Sequence, residues 1–104
     1  MDYQEFLQYV DEMLNKIDAR LDEQNLDIDL EIGDGKLVIE FDDGQQYILS
    51  SQSATQQLWL AEPLGGWHYD FQDGQFICDK RGQNLIETLE ILLSEKLAQK
   101  ISLS

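Results

Sequence analysis

The 104-residue chain has one cysteine, one proline, one histidine and only seven basic residues, and these scarcities exclude several classes of protein. A single cysteine cannot form an internal disulfide, which excludes a disulfide-stabilised scaffold. Seven Lys and Arg against 21 Asp and Glu give a formal charge of −14, whereas a nucleic-acid-binding protein needs a basic face. No apolar run approaches the ~20 residues of a membrane span, and no signal peptide is visible. We therefore expect a cytoplasmic protein with neither nucleic-acid nor membrane partners.

The composition is that of a folded protein with an uneven distribution of charge. Its 42% hydrophobic and 10% aromatic content is enough for one domain over residues 1–104. Residues 1–43 hold 14 acids and three bases (−11), whereas residues 44–104 hold seven acids and four bases (−3). This asymmetry predicts an acidic interaction surface, with charge for solubility alone as the alternative.

The spacing of apolar residues predicts an N-terminal helix over residues 3–22, with Asp2 as its cap. Apolar residues recur every three or four positions and form one stripe: Tyr3, Phe6, Leu7, Val10, Met13, Leu14, Ile17 and Leu21. The opposite face carries Asp11, Asp18 and Asp22. Three carboxylates are therefore expected in a row along the solvent side of the helix.

Alternating apolar and acidic residues then predict a hairpin with Asp34-Gly35 at its two-residue turn. The apolar pairs in this register are Ile28 with Phe41, Leu30 with Ile39, and Ile32 with Leu37. On the other face, Asp29 opposes Glu40 and Asp27 opposes Asp42. Like charges in such positions destabilise a sheet, so this cluster suggests a functional requirement for acid.

The remaining sequence predicts more hairpins and a second helix. Asp43-Gly44 is expected to turn the chain so that Ile48 faces inward opposite Ile39. Further strands are predicted near residues 45–50, 57–61, 67–71 and 75–79, followed by a helix over 84–101. This order predicts an α+β fold, an α–β sandwich in which two terminal helices pack on one face of an antiparallel sheet of about six strands.

Few residues in the sheet could carry chemistry. His68 beside Asp79 is either an acid–base pair or an exposed cross-strand polar pair, and nothing else completes a catalytic set. Cys78 opposes Tyr69 in the predicted register, which favours a core residue over a nucleophile. Trp59 is out of phase with its leucine neighbours, so we expect it on the open face as a recognition residue.

The carboxylates of the first third are candidate metal ligands. The segment 27–31 resembles a calcium loop only superficially, because Ile32 and Val38 occupy the positions of the required glycine and glutamate. No Cys/His set exists for zinc, an iron–sulfur cluster or haem. Exposed oxygen ligands suit hard cations and can take ferrous or ferric iron, or other divalent ions, with modest affinity.

Three segments resemble the bacterial frataxin family: Gln57-Leu58-Trp59-Leu60-Ala61, Gly65-Gly66-Trp67-His68-Tyr69-Asp70-Phe71 and Phe76-Ile77-Cys78-Asp79-Lys80-Arg81-Gly82. The helix–hairpins–helix order and the acidic first third share this resemblance, which covers essentially the whole chain. It implies two helices packed on an antiparallel sheet. It also implies an iron-binding regulator of iron–sulfur cluster assembly, with the cysteine desulfurase and the cluster-assembly scaffold as partners.

The resemblance also implies which residues act. The metal ligands would be Asp11, Asp18, Asp22, Glu23, Asp27, Asp29 and Glu31. The partner-binding residues would be Asp18, Asp22, Glu23, Trp59 and His68. We expect a monomer that is not an enzyme, with iron-driven oligomers and a weak ferroxidase activity as open possibilities. The alternative function is an acidic interaction module, or a nucleic-acid mimic, whose metal binding is incidental.

Overall fold

The chain folds as one helix, six strands in consecutive hairpins and a second helix. This structure is a computed structural model that describes residues 1–104. The elements are α1 (Tyr3–Asp22), β1 (Ile28–Gly33), β2 (Lys36–Phe41), β3 (Gln46–Gln52), β4 (Gln57–Glu62), β5 (Gly65–Gln72), β6 (Gln75–Cys78) and α2 (Leu85–Leu97). The strands form one antiparallel sheet in sequence order, and the helices bury their apolar residues against one face of it. This confirms the predicted α–β sandwich.

Helix α1 forms where its apolar period predicts. The Asp2 carboxylate accepts a hydrogen bond from the Glu5 N–H at 2.8 Å and satisfies one of the free donors of the first turn. The fully buried residues of the stripe are Phe6, Val10, Leu14, Ile17 and Leu21. The prediction for Tyr3 is wrong, because this side chain is 46% exposed. The buried part of the stripe therefore begins one turn later, at Phe6.

The β1–β2 hairpin has the predicted register. Asp34 and Gly35 have φ values of 52° and 70°, the left-handed conformation that a two-residue type I′ turn needs. Ile28 pairs with Phe41, and the ladder ends there. Asp29 does oppose Glu40, but the predicted pair of Asp27 with Asp42 lies outside the ladder.

The predicted register of β3 is wrong by one residue. Tyr47 pairs with Ile39 and is buried, whereas Ile48 lies on the open face. The Phe41 N–H donates to the Gln45 carbonyl, so the loop between β2 and β3 has three residues rather than two. Gly44, at φ 87°, allows this longer turn. One extra loop residue moves every side chain of the following strand to the other face.

The second helix is shorter than predicted. Asn84 caps it as expected, accepting from the Glu87 N–H at 2.9 Å. The helix ends at Leu97 because Ala98 adopts a left-handed conformation, at φ 53°, and turns the chain away. The predicted helix over 84–101 therefore runs four residues past the observed C-terminal end at Leu97. Ile101 and Leu103 are buried all the same, because the extended C-terminal tail packs them into the core.

The core contains the hydroxyl group of Tyr69, which has no hydrogen-bond partner. Tyr69 is fully buried, and its hydroxyl lies near that of Thr88 without a hydrogen bond of good geometry. The Thr88 hydroxyl instead donates to the Asn84 carbonyl at 3.0 Å. Burial raises the pKa of Tyr69 to about 12, with a smaller opposing effect from Thr88. Tyr69 is therefore a neutral packing residue at any physiological pH.

Candidate functional site

The predicted acidic residues lie along one side of the molecule. Helix α1 and strand β1 are joined by the short segment 23–27 and pack side by side. We call the seven predicted metal ligands the acidic ridge: Asp11, Asp18, Asp22, Glu23, Asp27, Asp29 and Glu31. Six of these side chains are exposed, and Asp18 is half-buried. The 3.6-residue period of α1 places its ridge carboxylates on the solvent side of the helix, and the two-residue period of β1 places those of the strand on the open face. Both elements therefore contribute carboxylates to one surface.

The charge of the acidic ridge is almost uncompensated. Glu23 contacts Arg20 at 3.3 Å, but both side chains are well exposed, so the pair contributes little to stability. No other ridge carboxylate has a basic group within 4.0 Å. Since Arg20 is the only basic side chain in contact with the ridge, the ridge presents a negative potential to any approaching molecule.

The acidic ridge is a strip of ligands and not a cage. No three His, Cys, Asp or Glu side chains come together in an arrangement that could hold a metal ion. A hard cation would therefore be met by one or two carboxylates and would keep much of its water. Such a surface would favour weak binding of several kinds of cation over tight selection of one.

Repulsion between acidic side chains is expected to destabilise the sheet. Asp29 and Glu40 are directly opposed on the open face, at the edge of the acidic ridge. We expect Glu40→Gln to raise the free energy of unfolding by about 0.2–1 kcal/mol at low salt, because it removes one repulsive cross-strand pair. Urea denaturation at low and high NaCl measures this. Salt screens exposed charges, so the gain should shrink at high salt, and a gain that does not would contradict like-charge repulsion as its cause.

Trp59 lies on the open face of the sheet, as predicted, against His68. Their rings stack at a centroid distance of 4.1 Å and an interplanar angle of 12°. The two residues are cross-strand partners on β4 and β5, and both are half-buried. The stack gives the open face a flat aromatic surface, which suits contact with a protein partner.

Gln57 is the functional candidate that we did not predict. Its side-chain oxygen accepts from Trp59 Nε1 at 3.0 Å, and its amide nitrogen donates to Asp70 and Asp79 at 3.1 Å each. Strand alternation puts Gln57 and Trp59 on the same face, and that was the available signal. The network fixes the indole orientation before any partner arrives, which lowers the entropic cost of binding.

His68 and Cys78 are the two candidate residues for catalytic chemistry in the sheet. His68 Nδ1 is 3.9 Å from Asp79 Oδ2, too far for a hydrogen bond, so the pair is only a cross-strand polar contact. Cys78 is buried opposite Tyr69, on the face covered by the helices, where it packs as a small apolar residue. Neither residue is arranged for nucleophilic or acid–base chemistry in this structure.

Lys96 organises a basic contact away from the acidic ridge. It donates hydrogen bonds to the side chains of Asp43 and Gln45, on the loop between β2 and β3. The hydrogen bond from Lys96 lowers the pKa of Asp43, helped by the Gln45 N–H. This clamp ties α2 to a sheet loop and leaves the ridge carboxylates free.

Neither helix is at once long enough and apolar enough to cross a bilayer.

Comparison with known proteins agrees with this architecture. Residues 1–99 match the model of the frataxin-like domain. The iron–sulfur cluster assembly protein CyaY of Vibrio cholerae serotype O1 is 41% identical over 90 residues, which are 86% of each chain. The corresponding protein of Pseudomonas putida is 38% identical over 98 residues, 92% of this chain and 89% of that one.

A solved structure gives the same result in three dimensions. Frataxin from Psychromonas ingrahamii superposes with a TM-score of 0.95 at 27% identity, covering 100% of this chain and 99% of that one. The helix–hairpins–helix order, the antiparallel sheet and the matching sequence over residues 1–99 are therefore features of one family. This chain belongs to the frataxin-like family.

Proposed function

We propose that this protein is a non-enzymatic, iron-binding regulator of iron–sulfur cluster assembly that docks on the cysteine desulfurase. The observation that carries the proposal is the acidic ridge, in which six of seven carboxylates lack a basic partner. Relatives that align over most of the chain are named iron–sulfur cluster assembly proteins, which supports the pathway. The proposal places the protein in the cytoplasm, as a monomer that contacts the desulfurase and the cluster-assembly scaffold.

Charge and shape would act at different stages of docking. The acidic ridge acts over a distance of about a Debye length and would steer the protein towards a basic surface. The stack of Trp59 on His68 acts only at contact, where burial of an aromatic surface slows dissociation. The acidic residues for docking would be Asp18, Asp22 and Glu23, at the end of α1 nearest the sheet edge.

Trp59→Ala is expected to accelerate dissociation from the desulfurase, at a cost of about 2 kcal/mol or more if the indole is a binding hot spot. The association rate and its salt dependence should stay near wild type, because the substitution changes no charge. Surface plasmon resonance at several salt concentrations measures both rates. Trp59→Phe is the matched control, because it keeps an aromatic ring and should lose less. Equal dissociation of wild type and Trp59→Ala would contradict a contact role for this side chain.

Ferrous iron is expected to bind weakly to the acidic ridge, because the ridge offers several hard oxygen ligands and no cage. An anaerobic NMR titration should broaden or shift amides near Asp18, Asp22, Asp27 and Asp29. The variant Asp27→Asn/Asp29→Asn should weaken the effect, and Glu87→Gln on α2 should not. Broadening centred on His68 and Cys78 would contradict this location.

A second candidate is an acidic docking module whose metal binding is incidental. The absence of any three converging ligands favours it, because a dedicated metal site normally gathers its donors. The two functions differ in one measurement, the affinity for the desulfurase with and without ferrous iron. An iron-bound regulator should show an affinity that changes with iron, whereas a docking module should bind equally in both conditions. A nucleic-acid mimic would instead bind many basic proteins without preference.

A further inference from the structure

The outer edge of the sheet at β1 carries backbone groups without a partner. The Phe41 N–H donates to the Gln45 carbonyl in the β2–β3 connection, so the backbone N–H and C=O groups of Phe41 point towards β3. Because the N–H and C=O groups of successive residues point to opposite sides of a strand, those of Val38 and Glu40 point towards β1. The N–H and C=O groups of their partners on β1 point towards β2. The N–H and C=O groups of Leu30 and Ile32 must therefore point away from the sheet.

No other part of the protein satisfies these groups. Strand β1 pairs only with β2, and neither Leu30 nor Ile32 takes part in the backbone hydrogen bonds outside the regular elements. Ile32 is 40% exposed, and Glu31 and Gly33 beside it are also exposed. An open row of two donors and two acceptors is a template on which another extended strand can pair.

A second copy of this chain is a poor occupant of the edge. Antiparallel pairing of two β1 strands with their apolar faces matched puts Asp29 and Glu31 of one copy opposite acids of the other. Like charges directly opposed destabilise a sheet, so the side chains protect the edge from self-association. The same acids would attract an extended segment that carries Lys or Arg at alternate positions.

We propose that β1 is a strand-addition site for an extended basic segment of a protein partner. Basic side chains of the added strand lie on the open face opposite Asp29 and Glu31. Aliphatic side chains between them lie on the helix face, over the half-buried Leu30 and the exposed Ile32. The backbone hydrogen bonds give affinity and the alternate side chains give specificity. This inference rests on the proposed function, because it specifies how the acidic ridge would bind a basic partner.

A short synthetic peptide tests the proposal without any natural partner. The probe is acetyl-Thr-Lys-Val-Lys-Val-Lys-Thr-amide, added to the full-length 15N-labelled protein at low salt. Strand addition should shift the amides of β1 most strongly and slow hydrogen exchange at Leu30 and Ile32 by about fivefold or more. Binding through charge alone should leave exchange at these two amides unchanged.

The decisive control is the same peptide with both valine nitrogens methylated. It keeps all three positive charges but loses the two donors that face Leu30 and Ile32, so its affinity should fall by about tenfold. Asp29→Asn/Glu31→Gln should weaken the unmodified peptide. Asp11→Asn/Asp18→Asn, with the same loss of two charges on α1, should have a smaller effect.

Equal binding of the two peptides would overturn the proposal, as would shifts centred on α1 or Trp59 without protection of β1. These outcomes are separate from failure of the proposed function. A protein that docks on the desulfurase but does not protect β1 with the peptide refutes strand addition alone. A protein that binds the peptide but not the desulfurase refutes the proposed partner alone.

Discussion

Replacement of Asp18, Asp22 and Glu23 by lysine is expected to slow association with the desulfurase by about tenfold or more at low salt. Each acid-to-lysine change removes one negative charge and adds one positive charge, so the three together take the formal charge from −14 to −8. All three lie on the ridge, whose carboxylates have few basic partners inside the protein, so the change acts directly on the field that an approaching partner meets. The salt dependence of association should flatten, because fewer attractive charges remain to be screened. Surface plasmon resonance from low to high salt measures this.

A matched control separates the location of the charge from its total. The variant Glu87→Lys/Glu95→Lys/Gln72→Lys/Gln99→Lys also reaches −8 and places the changes at exposed positions outside the acidic ridge. It should associate nearly as fast as wild type, because short-range charge pairs at the docking surface are retained. If the ridge variant associates as fast as wild type at low salt, the acidic surface is not the docking surface and charge for solubility explains the composition.

Leu103→Ala is expected to lower the free energy of unfolding by about 3 kcal/mol, within the range measured for buried leucines in other proteins. Leu103 is fully buried although it lies in the extended tail that follows α2. Its N–H donates to Glu90 Oε2 at 2.8 Å, and the Ile101 N–H donates to Ser94 Oγ at 3.0 Å. The tail is therefore anchored to α2 at two points. These anchors restrict movement of the tail backbone into the cavity that the truncation leaves. Urea denaturation followed by circular dichroism measures the change.

Ser102→Ala is the natural control for this prediction. Ser102 is exposed between the two buried residues, and its contacts with Gln24 use only its backbone N–H and C=O. Its side chain can be removed without loss of packing, so stability should change by less than about 0.5 kcal/mol. A Leu103→Ala variant as stable as Ser102→Ala would show that the tail does not pack into the core in solution.

The parts of the fold that could be predicted are those set by local periodicity. The stripe of α1 and the turn at Asp34-Gly35 need no knowledge of the rest of the chain, because a 3.6-residue period and a two-residue turn are local properties. The turn then sets the register of β1 and β2, which places Asp29 opposite Glu40. The same alternation correctly placed Trp59 on the open face. Most of the acidic ridge was therefore predictable as a set of exposed carboxylates.

The errors occurred where a small local ambiguity has long-range consequences. Two-residue and three-residue loops both fit Asp43-Gly44, and the choice decides whether Tyr47 or Ile48 faces the core. The end of α2 was also ambiguous, because Ile101 fits the helical period even though the chain has already left the helix at Ala98. The observed arrangement buries Tyr47 and Leu49 in β3, and Ile101 and Leu103 in the tail. Both outcomes involve the assembled core, which local patterns do not describe.

The charge, the two periods and the aromatic residue on the open face all follow from the amino-acid sequence. The contacts that these features make depend on the assembled fold. Packing of α1 beside β1 brings two separate sets of carboxylates onto one surface, although they lie on different elements. Pairing of β4 with β5 stacks Trp59 on His68, and the edge position of β1 leaves Leu30 and Ile32 with free backbone groups. Contacts between residues distant in sequence depend on how the whole chain packs, and no local pattern contains that information.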